Sequence, residues 1–287
     1  MTLLECIERQ SARLIQAGVS FGHGTTNAFD EAVWLALWKL GLPLDDLDGV
    51  ARRLLTGAEV DAIEALVGER IATRKPAAYL TREAWLQGVP FTVDERAIVP
   101  RSLIAELIAD GTLDAWLSDR TRAVLDLCTG NGSLAALAAM AWPEVHVDAA
   151  DLSAEALAVA RLNVERHGLQ ERISLFLGDG LDAVRGRRYD LILCNPPYVN
   201  SESMAAMPPE YRAEPAIALE GGPDGMDFIR TLVGHAREHL ADGGVLVIEI
   251  GHEAAHFEAA FPDFEFAYLP TAAGDDQVVL ITREALA

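Results

Sequence analysis

The chain reads as an α/β protein: a parallel sheet covered by helices, preceded by a small helical N-terminal domain. Three observations predict this. From about residue 101, apolar strand-length runs alternate with helical patterns, which implies parallel strands with helical crossovers. One strand runs straight into a glycine loop and a helix, Asp126-Leu127-Cys128-Thr129-Gly130-Asn131-Gly132-Ser133. Acidic residues, Asp151 and Asp179, close the next two runs, at the strand ends where open α/β sheets bind ligands.

The elements follow in order. Residues 1–78 are helical in pattern. Asp30 is a plausible N-cap for the run Glu31–Trp38, and Thr56 to Glu59 offers a capping box before Val60, Ile63 and Leu66. Lys75-Pro76 should stop that helix. Residues 79–100, with Trp85, Gly88, Pro90 and Phe91, read as a hairpin linker. Residues 101–287 then carry seven candidate strands: Arg122–Cys128, Val145–Asp151, Ile173–Asp179, Tyr189–Cys194, Val245–Ile250, Phe264–Leu269 and Gln277–Thr282. A helix starts at the Ser153 cap and stops at Gly168. The last two strands are joined by too short a connection for a parallel crossover, so they should pair antiparallel.

Composition narrows the class. The 287 residues are 51% hydrophobic, and no apolar run is long enough to cross a bilayer. The N-terminus lacks a basic, secretory-type leader, which leaves a cytoplasmic address. Cys6, Cys128 and Cys194 form no CxxC pair, so neither a disulfide framework nor a metal site is expected. The net charge of −21, from 44 acidic and 23 basic residues, repels phosphate backbones and favours a basic partner.

The most informative segment is Asn195-Pro196-Pro197-Tyr198, placed after the buried-strand run Tyr189–Cys194. Neither proline can donate to a ladder, and Asn195 is biased to extended backbone by the proline that follows. The chain must leave the strand in a stiff loop presenting an amide and a ring, groups suited to a planar amide or amino substrate. In the glycine loop, Gly130 and Gly132 permit a tight turn and close ligand approach. Asp151 is placed to hold ribose hydroxyls and Asp179 to accept from an adenine amino group. Cys128 occupies the slot where a dinucleotide enzyme would carry its first glycine.

This arrangement resembles S-adenosylmethionine-dependent methyltransferases of the seven-stranded, Rossmann-like class I fold. The resemblance implies that Asp126, Cys128, Thr129, Gly130, Gly132, Asp151, Asp179 and Asn195 bind S-adenosylmethionine, and it requires no metal. Asn195-Pro196-Pro197-Tyr198 matches the signature of amino-group methyltransferases, and nearly the whole chain is similar to the protein-(glutamine-N5) methyltransferases. The helical N-terminal domain, Ile98-Val99-Pro100-Arg101-Ser102, Tyr211-Arg212-Ala213-Glu214-Pro215 and Gly225-Met226-Asp227 all fit. Phe21-Gly22-His23-Gly24-Thr25-Thr26-Asn27 and the Cys128 loop resemble the branch that modifies ribosomal protein uL3, rather than the branch that modifies peptide-chain release factors.

The implied mechanism gives Asn195 and Pro196 the role of accepting from the substrate amide, with Tyr198 stacking on it and Pro197 shaping the slot. His23, between two glycines, is expected to serve substrate recognition or domain docking. Three other readings are a glutamine methyltransferase acting on peptide-chain release factors, a nucleic-acid amino-group methyltransferase, opposed by the charge, and a catalytically silent cofactor-binding scaffold.

Overall fold

The computed structural model describes residues 1–286. Helical spacing in the N-terminal part yields α1 (Leu3–Gln16), α2 (Ala28–Leu40), α3 (Leu47–Val50), α4 (Gly57–Thr73) and α5 (Ala77–Thr81). Capping boxes at Thr2/Glu5 and Thr56/Glu59 start α1 and α4. α2 begins one turn earlier than Asp30 suggests. Asn27 is the cap, its side chain accepting from the Asp30 amide at 2.9 Å, so Asp30 lies inside the first turn. α4 ends at Thr73 because Arg74 adopts left-handed backbone (φ 60°), and Pro76 then opens α5. Leu3, Ile7, Leu14, Leu35, Leu37, Ile63 and Val67 are buried together between these helices.

An antiparallel hairpin follows, β1 (Glu83–Leu86) and β2 (Val89–Thr92). Gln87 and Gly88 both take positive φ, the geometry of a two-residue hairpin turn. Next come α6 (Ile104–Ala109), β3 (Ala123–Leu127), α7 (Ser133–Ala141), β4 (His146–Asp151), α8 (Ala154–Arg166), β5 (Ile173–Leu177) and β6 (Tyr189–Cys194). They are followed by α9 (Ser201–Ala206), α10 (Asp227–His239), β7 (Leu240–Glu249), α11 (Ala254–Ala260), β8 (Ala267–Tyr268) and β9 (Val278–Thr282).

The large sheet has seven strands in the order β5-β4-β3-β6-β7-β9-β8. The first five pair parallel, while β9 pairs antiparallel with both β7 and β8. The seven-stranded α/β expectation holds. Its sixth strand is much shorter than Phe264–Leu269, because only Ala267 and Tyr268 reach the β9 ladder. Phe264 and Phe266 instead pack on Phe261 and Phe257. Apolar residues fill both faces. One layer joins Ile104, Leu107, Leu137, Val164 and Leu193, and the other joins Leu125, Ile192, Ile229, Leu232 and Phe257. The chain builds outwards from β3 to β5 and then returns to place β6 on the other side of β3. That reversal leaves a crevice at the strands' C-terminal ends.

Candidate active site

The loops after β3 and β6 meet at this crevice, because Leu127 pairs with Cys194 and brings Cys128 beside Asn195. The glycine loop is braced from beneath. Asp126 is fully buried and accepts from the Thr129 hydroxyl and from the Ala135 amide at 2.9 Å. Burial pushes its carboxyl up to about 7. Asp151 ties the loop to the next strand. Its two oxygens accept from Gly130 and Ser153 amides, each at 2.8 Å, and burial raises its pKa. Gly132 abuts Ala160, which a Cβ would approach to 3.1 Å. Cys128 takes φ 60°, so the glycine-like slot is a left-handed position that this chain fills with a cysteine.

A cavity of 560 Å³ opens here, lined by Cys128, Gly130, Asp151, Asp179 and Asn195. Asp179 is exposed, at the start of the 3₁₀ turn Gly180–Val184. Asp126, Thr129 and Gly132 lie behind the wall and hold its shape. A second cavity, of 640 Å³, is lined by Pro196, Tyr198, Arg101, Tyr211 and Glu249, with Ser20 and Phe21 from the N-terminal part. Asn195 lines both cavities, together with Ile98 and Ala218. Pro197 faces the first cavity.

The Asn195–Tyr198 loop is held on every side. Val199 exchanges backbone bonds with the strand-like segment at Leu219 and Gly221, both at 2.9 Å. Gly251 has no side chain because the Tyr198 ring fills that space, 2.5 Å from where a Cβ would sit. The Tyr198 hydroxyl donates to Glu249 at 3.1 Å. The other Glu249 oxygen accepts from the Ser102 hydroxyl at 2.6 Å and the Leu103 amide at 2.9 Å. Burial raises the Glu249 pKa against the pull of these donors. Sequence reasoning passed over Glu249, although an acid within the apolar run Val245–Ile250 was a signal: a buried carboxylate needs partners.

The segment after α9, which packs against the N-terminal part, was also missed as a network. Glu214 accepts from Arg101 at 2.6 and 2.7 Å and from the Val99 amide, with His23 at 3.4 Å. Burial opposes its ionisation, yet His23 and Arg101 hold the carboxyl down at about 2. Glu210 is buried against Arg70 and Arg74, and the His23 ring packs on Tyr211 with centroids 4.3 Å apart. His23 thus docks the N-terminal loop onto the second cavity's wall.

A uL3 glutamine methyltransferase of Burkholderia pseudomallei is 52% identical over 99% of this chain and 95% of that protein. The chain belongs to the uL3 glutamine methyltransferase family. Another member, from Bordetella pertussis, is 50% identical over 99% of this chain and 96% of its own length. A Methyltransferase small domain model matches residues 109–208, which span both loops of the crevice. The fold recurs in solved structures. The hMettl16 catalytic domain in complex with MAT2A 3′UTR hairpin 6 aligns with TM-score 0.53 at 13% identity, covering 79% of this chain and 81% of that one. A Pyrococcus furiosus methyltransferase aligns with TM-score 0.50 at 19% identity, covering 68% and 89%. Family membership makes the chain a methyltransferase.

Proposed function

We propose that this enzyme transfers a methyl group from S-adenosylmethionine to a side-chain amide nitrogen of a glutamine in ribosomal protein uL3. The observation that carries the reading is the position of Asn195 between two cavities. The first cavity suits the cofactor. Its floor is glycine backbone, Asp151 faces it at the end of β4, and Asp179 adds an exposed carboxylate beyond β5. Asp151 and Asp179 would hold ribose and adenine, and Cys128, Gly130 and Asn195 the methionine end. Asp126, Thr129 and Gly132 would act by shaping that loop. When bound, S-adenosylmethionine supplies a methyl group made electrophilic by its sulfonium.

The substrate amide enters from the second cavity. A glutamine nitrogen is a poor nucleophile, because its lone pair is delocalised into the carbonyl. The Asn195 side-chain oxygen and the Pro196 carbonyl accept from its two N–H groups and fix its direction. Tyr198 stacks on the amide plane. Positioning of this kind is worth roughly 7–11 kcal/mol in well-oriented systems. The two acceptors also oppose the positive charge that develops on nitrogen as the methyl–sulfur bond breaks. The amide then gives up one N–H proton to water, and S-adenosylhomocysteine is the other product. Glu249, by holding the Tyr198 hydroxyl and the Ser102–Leu103 backbone, keeps two walls of the slot in register.

On this reading, residues 1–78 form a substrate-selecting domain, 79–100 a hairpin linker and 101–287 the catalytic domain. The setting is cytoplasmic, since the substrate is a ribosomal component. Among the described residues no helix is long and apolar enough to cross a membrane. The test is incubation with radiolabelled S-adenosylmethionine and, in parallel, free uL3, a release factor and duplex DNA, with any label located by mass spectrometry. Label on one uL3 glutamine is the expected result. Label on the release factor keeps the chemistry and changes the partner, and label on DNA overturns the protein-substrate reading.

A further inference from the structure

The N-terminal helices carry a groove that neither the Asn195 loop nor the cofactor cavity uses. It measures 510 Å³ and lies between the start of α2, the turn after that helix and β1, lined by Thr25, Asp30, Trp34, Asp45 and Trp85 among others. Trp85 is 46% exposed while its strand neighbours Ala84 and Leu86 are buried, so the pleat turns the indole outwards. The Trp34 indole nitrogen is buried without a hydrogen-bond partner among the described residues. Asp30 and Asp45 are exposed, and no lysine or arginine lines the groove.

Two indoles beside two carboxylates, with no cation of the chain's own, suit an incoming cationic side chain. A guanidinium or ammonium gains from the ring face and from the acidic rim together. The groove also lies near the second cavity. Gly24 and Thr25 of its wall belong to the same loop as Ser20 and Phe21, which line that cavity. Three residues, from Phe21 to Gly24, span at most about 11 Å. The chain's net charge of −21 extends the same complementarity to the whole surface.

We propose that the Trp34–Trp85 groove, with Asp30 and Asp45, is an exosite for an arginine or lysine side chain of the protein substrate. This rests on the reading of the substrate as a basic protein whose glutamine enters the second cavity. The exosite would contribute binding rather than chemistry.

The test compares the full chain with its Trp85→Ala and Asp45→Asn variants, both changes being at exposed positions. Each variant should raise the KM for full-length uL3 about three- to tenfold with kcat unchanged, the size expected of one exposed cation site. Transfer to a short glutamine-containing uL3 peptide should be the same in all three proteins. Unchanged KM in both variants overturns the exosite. A rise in Trp85→Ala with Asp45→Asn silent also overturns it, since the groove would then hold an apolar segment. If the wild-type enzyme leaves uL3 unmodified, the substrate reading fails by itself. The groove is then judged by hexa-arginine binding, followed by tryptophan fluorescence. Tighter binding to the wild type than to either variant supports it, and equal binding overturns it.

Discussion

At the scale of single residues, the site works through groups whose ionisation and direction are set by burial. Asn195 stands where the two cavities meet. Asn195→Ala should abolish methyl transfer while S-adenosylmethionine affinity, measured by calorimetry, falls less than about tenfold. Near-wild-type turnover would remove Asn195 from the mechanism. Asp126 permits a pH test. Its pKa rises from 3.8 to about 7 in the folded protein, so between those values the native state binds more protons than the unfolded chain. That contribution is full below pH 4 and is lost as the pH rises through 7. Asp126→Asn keeps an oxygen for Thr129 and Ala135. The melting temperature of the wild type relative to this variant should fall steadily from pH 4 to pH 7. A constant gap would show that Asp126 titrates normally.

At the scale of elements, the sequence exposed the pieces that obey local rules. The Thr56–Glu59 capping box, the helix from Ser153 and the five parallel strands follow from short-range chemistry and apolar patterning. Boundaries were harder. Asp30 and Asn27 are both capping residues, and only the 2.9 Å bond to the Asp30 amide decides between them. Phe264 and Phe266 read as strand residues, but their rings serve a cluster with Phe257 and Phe261. The turn after β7 shows how an element can control the site from outside it. Gly251 takes φ 54° and leaves its side-chain volume to Tyr198. Gly251→Ala should push the ring aside and cut kcat by tenfold or more, by analogy with other small misplacements of positioning groups. Cofactor affinity should hold, and unchanged kcat would mean that the ring position is not critical.

At the scale of the whole molecule, the β1–β2 hairpin ties the helical part to α8 through Thr92–Asn163 and Glu83–Arg166, and the strap at residues 199–220 adds a second, charged attachment. Arg70 and Arg74 grip Glu210 in it, while Arg101 and His23 grip Glu214. Removing one member of such a buried set leaves its partners uncompensated, at a cost of about 3–5 kcal/mol. Glu214→Ala should lose stability of that order in chemical denaturation. A loss under about 1 kcal/mol would show the network to be incidental. The same scale governs partner choice. With a net charge of −21, association with a basic protein should weaken as salt shortens the Debye length from about 10 Å at 0.1 M. The KM for uL3 should therefore climb with salt, and a flat response would place recognition in apolar contacts alone.

Legible in the chain alone were the α/β class, the parallel core, the proline-stiffened loop after β6, the acid that ends β4 and the one just beyond β5. Each depends on periodicity, on backbone freedom or on a residue's neighbours in the chain, and such information is local. Three-dimensional packing alone places Asn195 between two cavities, tethers Tyr198 through Glu249 and anchors the N-terminal part through Glu210 and Glu214. Those contacts join residues 51 to 191 positions apart. A carboxylate's partners at such separations are chosen by where the fold brings donors together, and the chain's local pattern holds no record of that.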